Sequence, residues 1–301
     1  MAQVGVVEAA QDGLFPEPTR LFTCTPSRLV AFEDCPRRYR FSYLDRPPPP
    51  KGPPWAHNSL GASVHTALRA WFDLPPDRRA PGTVDSVLRP TWVREGYRDE
   101  EQETLMYGRA RQWLVAYLAR LDPEFEPLGV ERTVATKTPT LALSGRVDRI
   151  DDVGGELVIV DYKTGRTGLG PDDARSSRAL ALYVIAAARM FRRPCRRVEL
   201  HHLPTATVAA HEHTDESLAR HLRRAEQTAA DAMAAEREVK AGADPDTAFP
   251  TNPGSLCGWC DFRRSCPAGA TRPGQESWAG LDRGTGEAVD GPGTGQADQP
   301  R

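Results

Sequence analysis

The chain has little lysine, no long apolar run and almost no net charge. Only four lysines occur among 39 basic residues, so arginine carries nearly all the positive charge. Its planar fork donates in pairs and is the better clamp for phosphate. The formal net charge is -2, which removes any global basic field, although a basic groove with an acidic back is compatible with it. No window approaches the roughly 18 uncharged apolar residues of a spanning helix. The first residues show neither the basic start nor the apolar stretch of a signal peptide. These absences predict a cytoplasmic protein with no membrane partner and with reduced thiols. The six cysteines are then expected as ligands rather than as disulfides. No internal repeat is evident, and 301 residues suffice for one large domain with additions.

What the chain does have is ordered in blocks. Residues 1–20 are polar and without period, and are read as disordered. Ser27 caps an expected amphipathic helix carrying Leu29, Val30, Phe32, Tyr39 and Phe41, stopped by Pro47–Pro50. A second helix is expected over Leu60–Phe72 and a third over about Val87–Leu121, with breaks at Pro90 and Gly96. The period then changes to that of strands over Val130–Lys137, Leu141–Asp151 and Glu156–Tyr162. An alanine-rich helix follows over Ser177–Phe191, then strands over Val198–Leu203 and Ala206–His213, then a helix over Glu216–Lys240. This order predicts an α/β fold with a mixed sheet. The expected domain runs over 21–270, with a helical insertion at about 74–125 and a cysteine-bearing region at 250–270. Residues 271–301, dominated by Gly, Pro, Gln and Asp, are read as a disordered tail.

The strand pair around Gly154-Gly155 carries the chemistry. Two runs rich in β-branched residues flank that dipeptide, a hairpin signal. A turn there puts Asp148 nearly opposite Asp161, with Lys163 on the same face two residues on. Like charges so close need a proton or a cation between them; a divalent metal is the natural occupant, with the lysine placed to hold or deprotonate water. An Asp-x-Lys after an apolar run is by itself a common surface pair. Here the run Leu157-Val-Ile-Val160 has no polar face, so the strand is expected to be buried on both sides and to end in a site.

The cysteines give a second constellation. Cys257-x-x-Cys260 followed by Cys266-Pro267 sets three thiolates around one soft ion or cluster, and Cys24, Cys35 and Cys195 are candidates for the fourth. Spacing alone leaves zinc and iron–sulfur equally open.

Five segments together resemble the PD-(D/E)XK nuclease superfamily, and within it the RecB-type exonucleases with an iron–sulfur cluster, including the AddB-like and CRISPR-adaptation nucleases. They are Ser27-x-Leu-x-x-Phe-x-x-Cys35-Pro-x-x-Tyr39, Gly61-x-x-Val-His65, Gly145-Arg-Val-Asp148-Arg-Ile-Asp151, Asp161-Tyr-Lys163-Thr-Gly165, and Cys257-x-x-Cys260 with Cys266-Pro267. The resemblance spans about Thr25 to Pro267. It implies a restriction-endonuclease-like core with an N-terminal helical region and a C-terminus stapled by the cluster. It assigns Asp148, Asp161, the Tyr162 carbonyl and His65 to a Mg²⁺ or Mn²⁺ ion, and Lys163 to the attacking water. Cys35, Cys257, Cys260 and Cys266 become ligands of a structural [4Fe–4S] cluster. Arg146, Arg149 and Tyr183 are candidate substrate contacts, and Glu131 reads as an edge-strand carboxylate with a reach toward water at the ion. The implied substrate is DNA, through single-stranded ends, in repair or recombination; a helicase or repair partner is left open. The sequence departs from the family at Ala179, where a glutamine usually stands four residues before the tyrosine. That departure keeps open a second reading, a non-catalytic DNA-end-binding adaptor. A zinc-stabilised scaffold without a nucleic-acid role is a third.

Overall fold

Two glycines make the central hairpin. Gly154 and Gly155 sit at φ 61° and 94°, the left-handed backbone that a two-residue turn needs and that glycine adopts without a Cβ clash. They join Val153 to Glu156, which are paired across the turn. The computed structural model describes residues 21–165 and 168–281. In chain order the elements are β1 (Phe22–Cys24), α1 (Pro26–Asp34), α2 (Pro36–Tyr43), α3 (Ala56–Phe72), α4 (Val84–Thr91), α5 (Glu100–Leu118), β2 (Gly129–Lys137), β3 (Leu141–Val153) and β4 (Glu156–Lys163). There follow α6 (Pro171–Ser176), α7 (Arg178–Phe191), β5 (Cys195–His202), β6 (Thr207–Glu212), α8 (Asp215–Lys240), α9 (Pro245–Ala248) and α10 (Pro267–Ala270).

The strands form one mixed sheet ordered β1-β3-β4-β5-β6, with β2 also paired to β3. The β3–β4, β2–β3 and β5–β6 pairs are antiparallel, while β1–β3 and β4–β5 are parallel. β4 is central and buried on both faces, as its unbroken apolar run requires. Val158 and Val160 pack with α3, α4 and α5. Leu157 and Ile159 pack against α7 through Leu180, Val184 and Ala187. Beyond α7, the alanine stripe of α8 (Ala225, Ala229 and Ala232) lies with Leu182, Ile185 and Leu29, small side chains permitting close approach of the helices.

Four differences from the sequence expectations have local causes. β1 is only three residues long, too short for a periodic signal, and pairs in parallel with Leu141–Leu143. The helix expected from Ser27 onward is two helices. Thr25 is its cap, and the chain straightens at Cys35 (φ -164°) ahead of Pro36, whose missing N–H makes it a first-turn residue. The expected helix over 87–121 is likewise two, because α4 ends just after Pro90 and Asp99 caps a new start, accepting from the Gln102 N–H. Finally, residues 271–281 are not a loose tail. The Ser277 carbonyl accepts the Ala56 N–H at 2.9 Å, the Leu281 carbonyl accepts from Arg109, and Leu281 itself is buried in the α3–α5 core. The disorder expected for 1–20 and 282–301 falls on residues outside those described.

Leu281 tests this last point. Leu281→Ala should cost about 2 kcal/mol or more, the range for a buried leucine, read as a lower urea midpoint with unchanged slope. An unshifted midpoint would mean that the segment does not pack.

Candidate active site

β3 and β4 part where the charges lie. Their last paired residues are Arg149 and Val160, and one further step of that register sets Asp148 across from Asp161. At this step the Tyr162 N–H donates to the Asp148 carboxylate, 2.8 Å from Oδ2. Asp148 and Asp161 are each only 5% exposed. Lys163, on the same side of β4 as Asp161, forms an ion pair with it, Nζ lying 2.7 Å from Oδ2. From α3, His65 brings Nδ1 to 3.3 Å from Asp148 Oδ2 and Nε2 to 3.1 Å from the Tyr162 carbonyl. The backbone of Tyr162 is therefore held by the site at both its N–H and its carbonyl.

Glu131 joins this group from β2. Its neighbours keep their ladder pairs, Val130 with Arg149 and Arg132 with Val147, while Glu131 drops out with φ 48°. That conformation costs roughly 1–3 kcal/mol in a non-glycine residue and concentrates at functional sites. Ligand atoms of His65, Glu131 and Asp148 all lie within 4.8 Å of one another. From the sequence Glu131 reads as an edge-strand carboxylate with a reach toward water at the ion. Its usable signal was the register, which sets Glu131 opposite Asp148.

The charges lean on one another. Burial alone would raise Asp148, but His65, the Tyr162 N–H and Lys163 outweigh it and hold the carboxyl below its ordinary range. Asp161 goes the other way: burial raises it, Lys163 opposes, and repulsion from Asp148 adds to the rise. Burial and repulsion from Asp148 also raise Glu131. Burial disfavours charge on Lys163 and His65, yet Asp161 and Asp148 respectively prevail and raise both. Carboxylates crowded this way retain protons or take a cation. Several oxygens and one imidazole form a donor set suited to Mg²⁺ or, with the nitrogen, Mn²⁺, so the residues present fit a divalent ion.

The other sequence candidates divide. Arg146 lies exposed at the rim, 2.7 Å from Glu131 Oε2. Arg149 does not face solvent: it is 3% exposed and its guanidinium points into a buried tyrosine–aspartate network, so it is not placed to meet a phosphate. The ring of Tyr183 on α7 lies over Gly145, where a Cβ would come within 2.5 Å of Cε1. This is why the segment leading to Asp148 has glycine.

The four thiols singled out in the sequence line one cavity: Cys35, Cys257, Cys260 and Cys266, with Phe41 and Phe262 in its wall. All six cysteines are free. Cys24 and Cys195 are buried on β1 and β5, their thiols pushed up to about 12 chiefly by burial, which makes them inert packing groups. The cysteine-bearing region is fastened to the N-terminal helices by other contacts as well. Arg37 donates to the carbonyls of Phe249 and Asp246, Trp55 to Asp261, and Ser265 to the Pro50 carbonyl. Four soft sulfur donors on one cavity suit an iron–sulfur cluster or zinc.

Gly145→Ala should destabilise by about 1–3 kcal/mol, the cost of overpacking, because the ring of Tyr183 has to move. A Gly145→Ala, Tyr183→Ala double variant should recover part of this loss relative to Tyr183→Ala alone. Additive effects in a thermal melt would show that the contact is not the cause.

The family model of the PD-(D/E)XK nuclease superfamily matches residues 23–267. Among solved structures, the crystal structure of SSO0001 is 17% identical, with 86% of this chain and 90% of that one covered at a TM-score of 0.37. A chain from Eubacterium rectale named "Putative exonuclease" is 11% identical, with 85% of this chain and 93% of that one covered at a TM-score of 0.46. No curated protein matches the sequence.

Proposed function

The chain belongs to the PD-(D/E)XK nuclease superfamily, and from that premise we propose that it is a metal-dependent DNA exonuclease acting on single-stranded ends in repair or recombination. The observation that carries the catalytic reading is the buried meeting of Asp148, Asp161, Lys163 and His65 where β3 and β4 diverge. Asp148, Asp161, His65 and the Tyr162 carbonyl would hold Mg²⁺ or Mn²⁺, with Glu131 beside them. A divalent ion bound there supplies charge for the phosphate oxygens and acidifies water.

The side chains do the rest. Asp161 keeps the Lys163 ammonium charged, so Lys163 acts as a donor that orients the attacking water and meets negative charge growing on the phosphate. Arg146 reaches outward from the rim to a phosphate further along the strand; its guanidinium can exchange Glu131 for that anion. Among the described residues no helix is long and apolar enough to cross a membrane.

Cys35, Cys257, Cys260 and Cys266 are assigned to a [4Fe–4S] cluster with a structural task, since phosphodiester hydrolysis transfers no electron. Ala179, which stands on α7 where the family has glutamine, favours the second reading of a DNA-end-binding adaptor.

Lys163→Ala and Asp161→Ala should each lower Mn²⁺-dependent degradation of end-labelled single-stranded DNA by about 100-fold or more, with melting profiles retained. Equal turnover by wild type and Lys163→Ala would replace the enzyme reading by the adaptor. Protein purified without oxygen should be brown, with iron and acid-labile sulfide in equal amounts, and Cys260→Ser should lose both and its solubility. Colourless protein carrying zinc would overturn the cluster assignment.

A further inference from the structure

Beneath the proposed metal site runs a buried polar chain that the hydrolytic reading leaves without a task. Arg149 Nη1 donates to Tyr117 Oη at 3.0 Å and to Tyr162 Oη at 3.2 Å, and its Nη2 donates to Asp151 Oδ2 at 2.8 Å. Tyr117 Oη lies 2.8 Å from His201 Nδ1, and His201 Nε2 lies 2.9 Å from Glu199 Oε2. The Tyr117 hydroxyl and the Glu199 carboxylate thus engage the two ring nitrogens of His201. The chain runs from α5 to β5, and Arg149 ties both tyrosines to β3. Phe72, Phe125 and Tyr162 enclose its guanidinium.

Stability alone does not call for this arrangement. A buried arginine–aspartate pair carries a desolvation cost that well-packed apolar side chains avoid. What the chain can supply is a fixed position. Strand alternation turns the Tyr162 side chain away from Asp161 and Lys163, while its peptide N–H faces Asp148 and its carbonyl faces His65. The β5 ladder holds Tyr162 on one side, opposite His201, while pairing to β3 stops at Arg149 and Val160; the bond from Arg149 to Tyr162 Oη ties the residue to β3 beyond that point.

We infer that Arg149 is a positioning residue: through Tyr162 Oη it fixes the Tyr162 backbone between Asp161 and Lys163 and so sets the affinity of the site for its divalent ion. The inference rests on the metal-site reading above. It assigns Arg149 a role toward the ion and none toward DNA.

The test is Mn²⁺ titration of the full chain without DNA, by calorimetry and by the electron paramagnetic resonance of free Mn²⁺. Binding of a labelled single strand is measured in parallel without metal. Wild type should bind Mn²⁺ and Asp161→Ala should not. Tyr162→Phe, which removes only the hydroxyl, and Arg149→Met should weaken Mn²⁺ by about 10–100-fold, the usual effect of losing a group that orients a ligand, with strand affinity unchanged. Leu88→Ala, a cavity in the fully buried core of α4, should lower the melting point and leave Mn²⁺ affinity alone, which separates positioning from general loosening. Should Arg149→Met not fold, Tyr162→Phe carries the same test. Wild-type Mn²⁺ affinity in folded Tyr162→Phe overturns the inference alone. So does loss of strand binding with Mn²⁺ affinity kept, which would return Arg149 to the phosphate. A wild type that binds no Mn²⁺ overturns the site and the inference together.

Discussion

Two carboxylates that cannot both stay charged without help are the constraint around which this structure is arranged. Asp148 and Asp161 are removed from water at the point where β3 and β4 part. Burial raises the cost of each charge and strengthens the repulsion between them. Three neighbours answer that repulsion, and a third acid adds to it. His65 and the Tyr162 N–H stabilise Asp148, Lys163 stabilises Asp161, and Glu131 is pressed toward its protonated form. The balance is incomplete, since burial and repulsion from Asp148 still hold the Asp161 carboxyl above its ordinary range. Such a site gains most from a small, doubly charged ion, and the superfamily to which the chain belongs hydrolyses nucleic acid with one.

The fold serves this spot from several directions. The hairpin at Gly154-Gly155 sets the register that aligns the acids. Burial of β4 on both faces makes its end rigid, and α3 delivers His65 from the helical layer above. Gly145 lets Tyr183 of α7 close over the strand leading to Asp148. At the far edge, side chain–backbone contacts join the C-terminal region to α2 and to the segment before α3, beside the cavity that the four thiols line. The cysteine cavity lies between the N-terminal helices and the C-terminal region, and none of the acidic-site residues lines it.

Much of this was legible in the sequence, and the gaps have physical reasons. The period-two runs and the Gly-Gly turn gave β2, β3 and β4 nearly to the residue, and alternation then placed Asp161 and Lys163 together. The convergence of Cys35 with Cys257, Cys260 and Cys266 depends on contacts across more than 200 residues, which no local pattern reveals; it came from the family resemblance. Arg149 misled because an arginine beside a catalytic aspartate reads as a phosphate contact, whereas strand alternation turns it to the other face. Glu131 was undervalued because its left-handed backbone has no signature in a sequence without glycine at that position. The composition of residues 271–281 is that of a tail. Composition reports the absence of period, and single anchors such as Ser277 and Leu281 do not need one.

The central claim is that Asp148, Asp161 and His65 share one divalent cation beside Lys163. Anomalous diffraction from crystals soaked in manganese tests it most directly. A manganese peak bounded by those three side chains and the Tyr162 carbonyl is the expected result. A soaked crystal with no manganese peak among them, or with the two aspartates pointing apart, would contradict the account.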